Sequence, residues 1–222
     1  MKPYERLAEA KAPDGSILSL FRHDGAYIMR VNGVDLMSTR VSQSEVQLAE
    51  LTCGEIRARP AARVLIGGLG FGFTLKAALR MLEPDASVVV AELVGEVIAW
   101  NQNREFALAH EALGDSRVDL QHADVWSVLR DNKRAFDAIM LDVDNGAESL
   151  TTRGNSTLYS LHGVYTAVES LRRGGYLGYW SSTPEPKFVN TLKHAGLDVE
   201  VHSVRARPTG GAYHTIIVAR QK

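Results

Sequence analysis

The sequence predicts an α/β protein: a mostly parallel sheet with crossover helices, closed by a C-terminal antiparallel hairpin and preceded by a small N-terminal β-meander. Three observations carry this. Arg63-Val64-Leu65-Ile66 runs into Gly67-Gly68-Leu69-Gly70-Phe71-Gly72, and a helical pattern over residues 74–82 follows at once. Further strand-like runs at residues 88–92, 118–124 and 136–142 each end in an acid and alternate with helical stretches. That alternation specifies a parallel sheet with right-handed crossovers. Finally, residues 198–204 and 213–219 are strand-like and joined by Pro208-Thr209-Gly210-Gly211, so a hairpin ends the chain.

From the amino end, short apolar runs at residues 16–22, 26–31 and 34–38 are separated by His23-Asp24-Gly25 and Asn32-Gly33. Asp-Gly and Asn-Gly between such runs signal hairpins. Residues 1–41 therefore read as a meander too small to stand alone, packing on the main domain or on a second copy of the chain. Ser42-Gln43-Ser44-Glu45 has the S-x-x-E spacing of a capping box, so a helix is expected to begin there. Val46, Ala49, Cys53 and Ile56 form its buried face, and Pro60 ends it before the first central strand. Residues 94–100 and 125–130 supply further crossover helices, residues 107–113 are ambiguous, and residues 186–195 form the last helix before Gly196. Residues 42–222 thus make one domain with a leading helix.

Composition narrows the function. A net charge of −1 and a pI near 6.7 leave no electrostatic footprint for nucleic acid or an anionic membrane. No apolar run approaches the roughly 18 residues needed to span a bilayer, and the start lacks a signal-peptide core. Cys53 is the single cysteine, which excludes an internal disulfide. A cytoplasmic protein is expected.

The acids at the strand ends point to a ligand. A glycine turn before a helix lets a ligand approach the backbone and offers it unpaired N–H groups. Glu92, 22 residues after Gly70, ends the second central strand, where a carboxylate can hold both ribose hydroxyls of a nucleoside. The glycines fall at Gly67, Gly68, Gly70 and Gly72, and Phe73 stands where a dinucleotide fingerprint needs glycine. S-adenosylmethionine, which has no pyrophosphate, fits better than NAD. Asp124 is placed to take the adenine amino group, and Leu93 and Val125, next after the two acids, complete the cofactor-binding set. Asp142 is the candidate base or orienting group, with Asp144 beside it. No metal is expected, because the next strand, residues 176–182, offers hydroxyls but no carboxylate and the seven histidines are scattered. The polar stretch 146–161 reads as a lid, and Tyr159, Tyr179 and Trp180 as an aromatic wall to a substrate pocket.

The spacing of Val64-Leu65-Ile66-Gly67-Gly68, Val90-Ala91-Glu92-Leu93, His122-Ala123-Asp124 and Ile139-Met140-Leu141-Asp142 resembles the spermidine synthase family of class I S-adenosylmethionine-type transferases. Residues 171–177 match its next helix end, glycine turn and strand. The resemblance implies a Rossmann-like class I methyltransferase fold. It also carries departures. The family's glycine turn, G-G-G-D-G, holds the amine of decarboxylated S-adenosylmethionine with its aspartate, and Gly70 stands there in this chain. The family's D-S-S-D-P is Asp142-Val143-Asp144-Asn145-Gly146 here, and Leu36, Glu45 and Val46 replace its glutamine, tyrosine and histidine. A turn without the acid leaves room for the carboxylate of intact S-adenosylmethionine. The reading is therefore a methyltransferase acting on a small-molecule acceptor. Aminopropyl transfer from the decarboxylated cofactor is the alternative, and a non-catalytic nucleoside-binding protein is the third. Neither nucleic acid nor membrane is an expected partner; a homodimer through the meander is.

Overall fold

A computed structural model describes residues 3–143 and 155–221. The N-terminal part is a four-stranded antiparallel sheet in the order β1 (Glu5–Lys11), β2 (Ile17–His23), β3 (Ala26–Val31), β4 (Val34–Ser38). The sequence predicts the last three strands and misses the first. β1 is mostly exposed, with Ala10 its one buried residue, so no apolar alternation marks it. Tight turns at Asp24-Gly25 and Asn32-Gly33, all four residues at positive φ, join the other strands as expected.

Helix α1 (Gln43–Cys53) follows, with Ala49 and Cys53 fully buried. The capping box is not formed: Ser42 makes no side-chain cap, and the Glu45 carboxylate instead accepts a hydrogen bond from the neighbouring Ser44 hydroxyl at 2.6 Å. Burial pushes the Cys53 thiol up to about 12, so it behaves as an apolar core group.

The main sheet has seven strands in the order β10-β11-β9-β8-β5-β6-β7, where β5 is Arg63–Gly67, β6 Ser87–Glu92, β7 Val118–His122, β8 Phe136–Leu141, β9 Leu171–Ser181, β10 Asp198–Arg207 and β11 Gly210–Arg220. The central pairs are parallel, while β11 runs antiparallel to both β9 and β10, the closing hairpin the sequence predicts. Val64, Ile66, Val88, Val90, Ala138 and Met140 face one side, and Leu65, Val89, Ile139 and Leu141 the other. Strands buried on both faces read as continuous apolar runs, which is how the sequence exposes them. Helices α1, α2 (Phe73–Met81) and α3 (Gly95–Gln102) cover the first side; α5 (Val125–Asp131), α6 (Leu161–Ser170) and α7 (Pro186–His194) cover the second. A single turn, α4 (His110–Leu113), occupies the ambiguous stretch.

Two contacts fix what matters for the site. Leu18, Leu20, Tyr27, Met29 and Val31 of the N-terminal sheet share one apolar core with Leu48, Ile66 and Leu75. At Gly178 of β9 a Cβ would run into the Thr52 side chain of α1, so glycine lets this helix lie hard against the sheet. Strand order reverses between β5 and β8, which opens a crevice at the carboxyl edge of the sheet.

Candidate active site

The crevice is a cavity of about 570 Å³. Its floor is the carboxyl edge of the main sheet and its roof the N-terminal sheet, with Ile28, Leu36 and Met37 facing in. Gly68, Gly70, Glu92, Leu93, Asp124, Val125 and Asp142 all line it, so most of the residues singled out from sequence come together. Gly67 and Gly72 do not. Gly67 ends β5 in the core against Val125 and Leu141, and Gly72 is the left-handed residue before α2, packed on Ala109. They shape the turn and leave the cavity to Gly68 and Gly70. Asp144 and most of the expected lid lie outside the described residues.

The turn is built from its glycines upward. Gly68 has φ +90, and a Cβ there would strike the Asp142 backbone carbonyl. Only glycine lets β5 and β8 close at that point. Gly70 has φ +51, and its missing Cβ would lie 2.8 Å from Met37 Cε, so a thioether methyl from the roof fills the space beside it. Buried Asn101 fixes the turn from below: its Nδ2 donates to the Gly70 and Val97 carbonyls, each at 2.8 Å, and its Oδ1 accepts from Ala109 N–H at 3.2 Å. Sequence reading passes over Asn101 because an asparagine inside a helix pattern looks solvated.

Glu92 is 8% exposed. Its Oε2 accepts from Leu69 N–H at 2.9 Å and its Oε1 from Val94 N–H at 2.8 Å. Two backbone donors hold the carboxylate across the turn. Asp124 caps α5, accepting from Trp126 N–H at 2.9 Å through Oδ1, while its residue lines the cavity. Asp142 leaves β8 with its N–H donated to the Gly67 carbonyl at 2.9 Å, and Thr74 on α2 donates its hydroxyl to Asp142 Oδ2 at 2.9 Å. The donor set, two carboxylates beside a glycine turn that admits close approach, fits the adenosine part of an S-adenosylmethionine-type cofactor.

Beyond Asp142 the cavity continues under α1, β9 and β11, where Glu45, Trp180, Ser182 and His214 line it. Desolvation raises the Glu45 carboxyl above its usual range, opposed by the hydrogen bond from Ser44. Burial lowers the His214 imidazole. Trp180 packs edge-on to His214 with ring centroids 4.8 Å apart, and its Nε1 has no hydrogen-bond partner among the described residues. Tyr179 and Tyr159 correct the expected aromatic wall. Both lie in the core on the opposite face of the sheet, packed with Phe188: Tyr179 because successive strand residues point to opposite faces, and Tyr159 because it ends the short helical turn before α6, which covers that face.

No family profile and no curated protein sequence matches the chain. Solved structures do. A spermidine synthase in complex with the transition-state analogue AdoDATO matches with a TM-score of 0.75 at 17% identity, over 98% of this chain and 73% of that one. Spermidine synthase from Thermotoga maritima matches with a TM-score of 0.74 at 16% identity and the same coverage. A probable spermidine synthase from Corynebacterium glutamicum matches with a TM-score of 0.67 at 15% identity, over 100% of this chain and 81% of that one. The strand order, the closing hairpin, the leading four-stranded sheet and these similarities together establish that the chain has the Rossmann-like fold of the spermidine synthases.

Proposed function

We propose that the protein is a transferase that holds the adenosine end of a sulfonium donor over its glycine turn and passes an alkyl group from it to an amine. The observation that carries this reading is the single cavity running from Glu92 and Asp124 to the acidic end at Asp142 and Glu45. The donor supplies an already activated carbon, so the chain's task is to hold, align and deprotonate. Glu92 takes the ribose hydroxyls and Asp124 the adenine amine. The backbone at Gly68 and Gly70 admits the donor's chain. Asp142, fixed by Thr74, orients the acceptor nitrogen for in-line approach. The apolar roof of Ile28, Leu36 and Met37 keeps water from the reacting centre.

Aminopropyl transfer from decarboxylated S-adenosylmethionine is the better supported form, because the three similar folds carry the name spermidine synthase and one of them holds a transition-state analogue. This departs from the methyl transfer expected from the sequence. One observation still favours methyl transfer: at Gly70 the turn offers the thioether of Met37 where a carboxylate would hold a free amine. Calorimetry with S-adenosylmethionine, its decarboxylated form and NAD, followed by mass spectrometry of products formed with putrescine, separates these readings. Spermidine formation supports aminopropyl transfer, and a methylated amine supports the second reading. Tight NAD binding without sulfonium binding would remove both.

A further inference from the structure

The far end of the cavity holds a hydrogen-bonded relay that the roles assigned above do not use. Ser44 is fully buried at the start of α1. Its hydroxyl donates to Glu45 Oε2 at 2.6 Å and lies 2.8 Å from His214 Nδ1. A hydroxyl has one hydrogen. With that hydrogen on the carboxylate, Ser44 Oγ must accept from Nδ1–H, and the neutral imidazole then carries its lone pair on Nε2. Among the described residues Nε2 has no partner, and His214 lines the cavity. Its position follows from topology. β11 runs against β9, with Thr215 opposite Ser181, so the amino end of β11 lies at the carboxyl edge of the parallel strands.

Resting on the transferase reading above, we propose that His214 Nε2 is the base that removes the acceptor's proton, with Ser44 and Glu45 as positioning residues. The amine nitrogen forms a bond to the donor's alkyl carbon, the carbon–sulfur bond breaks with its electron pair staying on sulfur, and the nitrogen's proton passes to Nε2. The imidazolium so formed is compensated by the Glu45 carboxylate through Ser44 and returns its proton to solvent. Asp142 keeps the orienting role. The other charged and titratable groups lining the same cavity are Glu92, Asp124 and Asp142 at the edge of the main sheet, Arg207 on β10, and Tyr4, His23, Asp35 and Arg40 from the side of the N-terminal sheet. Trp180, set edge-on against the ring, fixes its plane. Burial lowers the imidazole's pKa and so favours its neutral form.

The test combines a tautomer measurement with kinetics on the full chain. Nitrogen-15 spectra of histidine-labelled protein, with the His214 signal identified by its absence in His214→Asn, should show an Nδ1-protonated ring at pH 7.5. Ser44→Ala should shift that ring towards the Nε2-protonated form. In single turnovers with saturating sulfonium donor and amine, His214→Asn should be at least a hundredfold slower, the usual scale of general-base catalysis. Its rate should also lack the rise with pH expected of the wild type, while donor affinity by calorimetry stays within twofold. An Nε2-protonated ring in the wild type, or a His214→Asn enzyme with unchanged rate and pH profile, overturns the proposal and leaves the transferase reading intact. Failure of the wild type to bind any sulfonium nucleoside removes the transferase reading, and this base with it.

Discussion

The space beside Gly70 decides which donor the turn can favour, and it can be altered one atom group at a time. Gly70→Asp would restore a carboxylate to the turn. Its φ of +51 lies in the left-handed region, which aspartate visits more readily than most residues. The new Cβ would meet Met37 Cε at 2.8 Å, the far end of a flexible side chain, so the collision is relieved when Met37 turns away or is shortened. Met37→Ala with Gly70→Asp is therefore the cleaner perturbation. A charge-assisted hydrogen bond to a free amine is worth about 1.5–3 kcal/mol, or about ten- to a hundredfold in affinity. Calorimetry should measure the ratio of dissociation constants for S-adenosylmethionine and its decarboxylated form in the wild type, both single variants and the double variant. We expect the ratio to move towards the decarboxylated donor by that factor, more in the double variant than in Gly70→Asp alone. A natively folded double variant whose ratio moves less than threefold would refute the placement of the donor's chain over Gly70.

Glu92→Gln removes the charge and turns an amide NH2 towards one of the two backbone donors that the carboxylate now accepts. Urea denaturation should show a loss of about 1.5–3 kcal/mol, with sulfonium affinity at least tenfold weaker; unchanged stability would mean the two N–H groups find other acceptors. Gly68→Ala drives a Cβ into the Asp142 carbonyl at positive φ, and overpacking alone should cost about 1–3 kcal/mol by the same assay. A neutral substitution there would show that β5 and β8 can part freely. Because burial lowers the His214 pKa in the folded chain, the unfolded chain binds more protons on the acid side. The stability of the wild type relative to His214→Asn should thus rise as pH climbs towards the unfolded histidine value of about 6.5 and level off above it. A relative stability that falls over that range would mean the folded ring prefers its charged form.

How far the sequence reveals the site depends on whether a residue's partners are local. Glu92, Asp124 and Asp142 were legible because each follows a strand-like run, and parallel strands deliver such ends to one edge. The glycine turn was legible for the same reason, although only packing separates Gly68 and Gly70, which face the cavity, from Gly67 and Gly72, which do not. Ser42 and Glu45 were misread as a capping pair, and Ser44 between them was passed over. The Ser42–Glu45 spacing satisfies the local rule, but Glu45 bonds to Ser44, whose other partner, His214, lies 170 residues away. Tyr179 and Trp180 are adjacent and aromatic, so composition gives them one role, but the pleat of β9 sends one to the core and the other to the cavity. Met37 was invisible as a neighbour of Gly70 because nothing local ties β4 to the turn.

The N-terminal sheet roofs the cavity and shares its core with the main sheet, and this has a consequence for how the chain comes apart. Lifting the roof would uncover Tyr27, Met29 and Val31 together with the residues of α1 and α2 they touch, so the two sheets cannot melt independently at low cost. Amides of β2 and β3 should then exchange with solvent only as slowly as those of β5. A bound nucleoside would touch both walls and act as a non-covalent cross-link, so its binding energy should raise a single melting transition of the whole chain.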